Sequence, residues 1–241
     1  MFTGITQGVA VIDSSIDRGG IRTFEIEFSP DFCRDLAIGG SVAVDGVCLT
    51  ATEKLSPTRV KFDVMHQSLL VTTLGSTGSG FQVNVERAAR DGAEIGGHPL
   101  SGHVDFSARI GRINKFGNNC SMRIEVPPAW MRYIFPKGYI ALNGASLTVS
   151  EVNREQSWFE IWLIPETRRV TNFEGKAVGD MYNIEIERGT QVVVDTVRST
   201  LEEKLGVLLP VLEDLLKKNG VDINSLAGRV SLPETEKKKI S

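Results

Sequence analysis

The sequence predicts a mainly β protein of two tandem six-stranded Greek-key barrels followed by a C-terminal helix. Three observations carry that expectation. The chain repeats itself at a spacing of 98 residues, each repeat holds short β-rich runs parted by an Asx-Gly turn, and an apolar stripe at helical spacing follows the second repeat.

The repeat is clearest where Gly40-Ser-Val-Ala-Val-Asp-Gly-Val-Cys-Leu-Thr-Ala-Thr-Glu53 aligns with Gly138-Tyr-Ile-Ala-Leu-Asn-Gly-Ala-Ser-Leu-Thr-Val-Ser-Glu151, six of fourteen positions being identical. Thr3-Gly4 falls on Ser101-Gly102 at the same offset. After one extra residue, Val71-Thr72 falls on Val170-Thr171 and Asn84-Val85-Glu86 on Asn183-Ile184-Glu185. Four matches in order identify a tandem duplication, and a long sequence period fixes the architecture before local propensity does. The expected organisation is a first barrel over 1–97, a second over 98–189, an oligomerisation helix over 190–218 and a flexible tail over 219–241.

Within the first repeat, strands are expected at Gly8–Ile12, Arg22–Phe28, Val42–Val44, Val47–Thr52, Arg59–Met65 and Gln82–Arg87, with counterparts in the second. Asp45-Gly46 and Asn143-Gly144 lie between apolar runs, and Asx-Gly there marks a type I′ hairpin, whose two central residues both need positive φ. One short helix per repeat is expected as well. Ser29-Pro30 offers a cap and a first-turn proline with Gly39-Gly40 as the stop, and Pro127-Pro128 through Gly138 is the second copy. Many short strands with little helix suit a Greek-key barrel, and the lack of strand–helix alternation disfavours a dinucleotide-binding sheet.

Val194, Val197, Leu201, Leu205, Leu208, Leu212 and Leu215 follow one another at spacings of 3, 4, 4, 3, 4 and 3. That is one apolar face of a helix, which Pro210 must kink or split. Either the chain's own barrels or another subunit would cover it, and the absence of a second helix to pair with points to the subunit. Residues after about Gly220 read as loosely ordered.

A length of 241 residues suits two domains, and 41% hydrophobic with 24% charged residues is ordinary globular composition. The net charge is −3, and the one dense lysine run, Lys237–Lys239, lies at the C-terminus, so nucleic-acid binding is disfavoured. Met1–Ser15 lacks the basic and apolar regions of a signal peptide, and no run approaches the roughly 18 apolar residues of a membrane span. Cys33, Cys48 and Cys120 show neither paired nor metal-binding spacing, so reduced thiols in the cytoplasm and no metal are expected.

Candidate chemistry gathers at three places. Alternation puts Cys48 and Thr50 on one face after the first turn and Ser146 and Thr148 on the same face after the second, opposite Leu49 and Leu147. Each alone reads equally as a good strand residue, yet the pair occurs twice. The stretch Glu94-Ile-Gly-Gly-His-Pro-Leu-Ser-Gly-His-Val-Asp105 holds His98 and His103 among glycines that permit close backbone approach. Histidine titrates near neutrality and suits proton transfer, although a satisfied or surface histidine fits the spacing equally. His66 reads as an exposed loop residue. Thr72 and Asn172, at matched Val-Thr steps, could present polar groups, and Lys137 could meet an anionic or carbonyl oxygen.

These residues resemble the riboflavin synthase family of lumazine-binding repeats. The marks are Met1-Phe-Thr-Gly-Ile5, Asp45-Gly-Val-Cys-Leu-Thr50, Val83-Asn-Val-Glu-Arg87, Ile95-Gly-Gly-His98, Ser101-Gly-His-Val104, Asn143-Gly-Ala-Ser-Leu-Thr148, Ile164-Pro-Glu-Thr167 and Asn183-Ile-Glu-Ile186, across roughly residues 1–200. The resemblance implies a cofactor-independent dismutation of two 6,7-dimethyl-8-ribityllumazine molecules. One passes a four-carbon unit to the other, giving riboflavin and 5-amino-6-ribitylaminouracil. It also implies a homotrimer, in which the first barrel of one subunit faces the second barrel of its neighbour, and association with lumazine synthase.

Carried over by position, a first-barrel pocket would comprise Gly4, Ile5, Thr6, Cys48, Leu49, Thr50, Asp63, Val64, Met65, His66, Gln67 and Ser68. A second would comprise Gly102, His103, Val104, Lys137, Ser146, Leu147, Thr148, Trp162, Leu163, Ile164, Pro165, Glu166 and Thr167. Cys48, Ser146, His98, His103 and Ser41 are the candidates for proton transfer, nucleophilic assistance or hydrogen bonding. The chain departs from the family at Gln67-Ser68, where Glu-Thr is frequent, and at Glu187, where Asp is common. The alternatives are a non-catalytic lumazine or flavin carrier of the same fold, and an unrelated double-barrel flavin or oligonucleotide binder. An aromatic content of 7% with no basic face argues against the last.

Overall fold

The structure, a computed structural model, describes residues 1–219. The expected flexible tail, 219–241, therefore lies outside the described residues save for Asn219. The strands are β1 Gly8–Arg18, β2 Ile21–Glu27, β3 Ser41–Val44, β4 Val47–Lys54, β5 Arg59–Met65 and β6 Gln82–Arg87, then β7 Phe106–Phe116, β8 Asn119–Glu125, β9 Tyr139–Leu142, β10 Ala145–Asn153, β11 Trp158–Leu163 and β12 Met181–Ile186. They close into two antiparallel barrels of six strands, ordered β1-β2-β5-β4-β3-β6 and β10-β11-β8-β7-β12-β9, which is one topology twice. Both barrels fall in one compact unit, Met1–Gln191, and a second unit begins at Val192.

Alternation builds each core. Along β5, Val60, Phe62 and Val64 are fully buried while Lys61 and Asp63 are not, and Ile12, Phe24, Ile26, Leu49, Leu74 and Val85 meet them inside the barrel. In the second barrel Ile110, Ile124, Phe159, Ile161, Phe173 and Ile184 are fully buried. Burying each such side chain contributes about 1.5–3 kcal/mol. Bulges bend the strands so that the sheets can close. They fall between Ile12 and Ser14 in β1 and between Ala51 and Glu53 in β4, and again 98 residues on, between Ile110 and Arg112 and between Val149 and Glu151.

Of the two expected helices, the one before β3 does not form, and the one before β9 forms as a short 3₁₀ helix rather than an α-helix. Residues 30–35 are turns with Phe32, Arg34 and Leu36 bonding three residues back, and Asp35 at φ 57° cannot continue a right-handed helix. The second copy is a 3₁₀ turn, Pro128–Tyr133. The helices lie elsewhere, as α1 His66–Val71 and α2 Pro165–Val170, so His66 opens a helix rather than sitting in a loop, though it is exposed as expected. Six residues without side-chain caps carry too little periodicity to be read from sequence. The C-terminal stripe is helical, as α3 Arg188–Gly206 and α4 Leu209–Lys218, with the break two residues ahead of Pro210. In the second unit Val197, Leu201, Leu205, Leu212 and Leu215 are exposed. No helix among the described residues is long and apolar enough to cross a membrane.

The barrels meet turn to turn. Asp45-Gly46 (φ 44° and 80°) and Asn143-Gly144 (43° and 79°) have the positive φ of a type I′ turn. A Cβ on Gly46 would stand 2.6 Å from the Gly144 nitrogen, so only backbone fits between them. Amides then reach across in matched pairs. Asn84 Nδ2 donates to the Asn143 carbonyl (3.1 Å) and Asn183 Nδ2 to the Asp45 carbonyl (2.9 Å). The Asn172 and Thr73 backbone N–H groups donate to Oδ1 of Asn84 and Asn183, each at 2.7 Å.

One pair breaks the symmetry. Asp45 Oδ1 accepts from Asn172 Nδ2 (3.1 Å), whereas Asn143 Nδ2 and Thr73 Oγ1 at the matching place are buried without a partner. Burial raises the Asp45 carboxyl to about 7, against hydrogen bonds from Asn84 and Asn172 and the charge of Lys176, which lower it. A carboxyl raised in the folded state binds its proton more tightly there than when unfolded. Its contribution is full below its ordinary value of 3.8 and is lost as pH rises towards about 7. Asp45→Asn, which installs the residue of the second repeat, should therefore gain stability over the wild type between pH 4 and pH 8. The gain should be on the order of 3 kcal/mol, read from urea midpoints; a pH-independent difference would show that Asp45 does not titrate in that range.

Candidate active site

Two matched clefts open beside the two turns. On β4, Val47, Leu49 and Ala51 point into the core while Cys48 is half-buried and Thr50 exposed; on β10, Ala145, Leu147 and Val149 are buried, Ser146 half-buried and Thr148 exposed. Each strand stays bonded to its hairpin partner, Ser41↔Thr50 and Ala43↔Cys48 in one barrel, Tyr139↔Thr148 and Ala141↔Ser146 in the other. The opposite ladders stop short, at Ala51↔Phe62 and at Val149↔Ile161. Cys48–Thr50 and Ser146–Thr148 are thus unladdered on one edge, facing the ends of β5 and β11. A strand edge of this kind offers backbone donors and acceptors to a flat heterocycle.

Glycines from the far side of the seam cap each cleft. The Gly4 carbonyl accepts from Ser146 N and the Gly102 carbonyl from Cys48 N, both at 2.8 Å. A Cβ on Gly4 would lie 2.6 Å from Ser146 Cβ, and one on Gly102 would lie 2.6 Å from Cys48 Cβ. Grouping in space therefore differs from grouping by repeat: Gly4 belongs with Ser146, and Gly102 belongs with Cys48. The cause is that the segments leading into β1 and β7 pair with each other at Phe2↔Leu100 and so cross the seam. Val104 likewise packs against the first barrel's core.

Two glutamates outside the sequence-derived set fix these segments. Glu86 accepts from Thr3 N (2.5 Å), Thr3 Oγ1 (2.8 Å) and Gly4 N (3.1 Å); Glu185 accepts from Ser101 N (2.7 Å), Ser101 Oγ (2.7 Å) and Gly102 N (3.0 Å). Both are buried, and burial raises their carboxyls while these bonds lower them. The repeated Asn-x-Glu of β6 and β12 was the signal that could have found them.

His98 completes the second cleft. Its Nδ1 is 2.6 Å from Ser146 Oγ, its ring is 3% exposed, and it stacks on Tyr139 at 5.2 Å and 16°. Burial holds the imidazole below its ordinary pKa, with the opposing charge of Glu187 the smaller influence, which favours the neutral form. Glu187 itself accepts from Gly189 N and from Thr190 N and Oγ1 at the start of α3. Among the described residues Cys48 has no histidine bonded to it.

The other candidates divide by what they can offer. Leu49, Val64, Leu147 and Leu163 are core residues and present only backbone to a cleft. Ile5, Met65, Trp162 and Ile164 are exposed apolar groups at the rims. Asp63 is exposed and accepts from Thr23 Oγ1 (2.6 Å); Glu166 pairs with Arg169 (2.6 Å) within α2. Ser68 and Thr167 lend carbonyls to Thr72 and Thr171. His66, Gln67 and Pro165 are exposed at the helix starts, as is Lys137 at φ 65° before β9. His103 is exposed, and its backbone N–H donates to Ser101 Oγ (3.2 Å). Two open pockets lie nearby, about 1050 Å³ beside Glu86 and the 88–96 linker and about 670 Å³ along the seam, and neither is lined by Cys48 or Ser146. No three His, Cys, Asp or Glu among the described residues are placed to hold a metal.

A lumazine binding domain model matches residues 3–88 and 101–187, once for each barrel. The riboflavin synthase of Escherichia coli is 43% identical over 202 residues, 83% of this chain and 93% of that one. This chain belongs to the riboflavin synthase family. The family's enzyme in Buchnera aphidicola is 37% identical over 209 residues, 86% of this chain and 99% of that one. Among solved structures, LumP complexed with riboflavin superposes with a TM-score of 0.72 over 78% of this chain and all of that one, at 24% identity, a likeness of fold. His98 lies outside both matched segments, in the linker between them.

Gly97 is the tightest point of the second cleft, since a Cβ there would meet the Thr3 carbonyl at 2.5 Å and Ser146 Cβ at 2.6 Å. Gly97→Ala should destabilise by about 1–3 kcal/mol. Gly8→Ala, in open space on β1, should stay within about 1 kcal/mol of wild type. Equal urea midpoints for the two variants would show that the contact is not tight.

Proposed function

We propose that the chain catalyses dismutation of two 6,7-dimethyl-8-ribityllumazine molecules to riboflavin and 5-amino-6-ribitylaminouracil. The observation that carries this reading is the pair of matched clefts, each an open strand edge under a glycine cap, in a chain 43% identical to a riboflavin synthase over most of its length. Two equal substrates need two equivalent seats. Holding both rings turns a bimolecular encounter into an effectively intramolecular one, which lowers the barrier by several kcal/mol. Strand edges and glycine carbonyls read the ring edges. The neutral His98 takes a proton through Ser146 Oγ, which serves removal of the acidic proton from a ring methyl group. Cys48, at the equivalent place, faces the second ring.

In this reading each cleft is completed by a neighbouring subunit, because Ile5, Met65, Trp162 and Ile164 are large apolar side chains left exposed. The apolar stripe of α3 and α4 serves the same assembly, a homotrimer, with repeat boundaries at 1–97 and 98–189 and the oligomerisation helix at 190–218.

Incubation with 6,7-dimethyl-8-ribityllumazine should produce riboflavin absorbance with no added cofactor. Ser146→Ala should lower kcat by about a hundredfold with a smaller change in ligand affinity. Tight binding without colour change would make the chain a carrier instead. Truncation after Thr190 should lower the mass seen by light scattering, and an unchanged mass would remove the helix from the assembly.

A further inference from the structure

We propose, resting on the reading of Ser146 and His98 as the proton-transfer pair, that Tyr139 is the positioning residue for His98 and makes the second cleft, not the first, the one whose protonation governs turnover. An imidazole held by one hydrogen bond can swing about it, and a histidine that moves protons is ordinarily fixed by a bond at its other nitrogen. His98 lacks that second bond, since Nε2 is buried without a partner. Two other contacts stand in for it. Gly97 sets the backbone against Thr3 and Ser146, as its absent Cβ shows, and the Tyr139 ring lies nearly parallel to the imidazole at 5.2 Å. Tyr139 is itself 57% exposed, so its ring lies outermost and covers a His98 that is 3% exposed. Backbone register fixes the ring's place, because Tyr139 opens β9 directly across from Thr148 on the cleft face of β10.

The repeat supplies the contrast. At the 98-residue offset Ser146 corresponds to Cys48, and Tyr139 corresponds to Ser41, which has no ring to stack. The first cleft therefore has the strand edge and the glycine cap but no held histidine. Among the described residues the groups facing His98 are the Ser146 hydroxyl from β10, the Tyr139 phenol from β9, the Thr3 carbonyl against its neighbour Gly97, and the charged Glu187 just past β12. Removing the ring wets the imidazole and relieves the burial that depresses its pKa, so its titration moves up toward the ordinary 6.5.

The test is Tyr139→Ser, which gives the second cleft the first cleft's residue, beside Tyr139→Phe, which keeps the stack. Tyr139→Ser should lower kcat by about tenfold to a hundredfold with KM within about threefold, and should shift the acid limb of the kcat profile to higher pH. Tyr139→Phe should restore both rate and limb. The His98 ring titration followed by ¹⁵N NMR should move upward in the Ser variant alone. Unchanged kcat, acid limb and ring titration in Tyr139→Ser would overturn the proposal, as would a Phe variant as impaired as the Ser variant. If the wild type binds lumazine without turning it over, the functional reading fails while the NMR titration still decides the positioning role.

Discussion

The site depends on a contact that admits no side chain. Two hairpin turns meet head on, and a single methyl group on Gly46 would intrude on the backbone of Gly144. Each turn also needs positive φ at both central residues, which restricts the first of them to Asx and the second to glycine. The asparagine amides that reach across would be costly if left unpaired in this buried place, so they tie turn to turn in a single arrangement. Since a hairpin's register is set by its turn, fixing the turns fixes every residue along β4 and β10. Cys48 and Ser146 stand two residues beyond the contact and inherit its precision.

A second layer of order comes from carboxylates doing structural work. Glu86 and Glu185 each gather three donors from a leading segment, two of them backbone N–H groups. Burial opposes the charge on each, and the converging bonds offset that opposition. The result is a pair of rigid backbone caps, each aimed at the opposite barrel. Preorganised backbone of this kind can read the edge of a planar ring without reorganising when the ring arrives.

Much of the architecture was legible because duplication doubles the signal. Strands β5 and β6 fall where alternation placed them, and the Asx-Gly turns have the predicted geometry. What escaped sequence reading was non-local or very short. The six-residue helices α1 and α2 have no side-chain cap and no full apolar period. The turns before β3 looked helical because Ser29-Pro30 imitates a helix start, and nothing local announces that Asp35 adopts positive φ. At the site, Cys48 and Ser146 were found from strand parity, from its occurring twice at matched positions, and from the family resemblance. The partnership of His98 with Ser146 joins residues 48 apart, and the exchange of Gly4 and Gly102 between barrels follows from a bridge between Phe2 and Leu100 that no propensity encodes.

That exchange has a consequence for the history and engineering of the chain. Each half lends its leading segment to the other, which is the geometry of a swapped homodimer whose two protomers have been joined into one polypeptide. A single repeat paired with a copy of itself would reproduce the Gly46–Gly144 meeting as a true dyad, with a glycine from each partner closing the other's groove. Severing the 88–96 linker would thus leave two halves that are complete as barrels and incomplete as clefts until they find one another again.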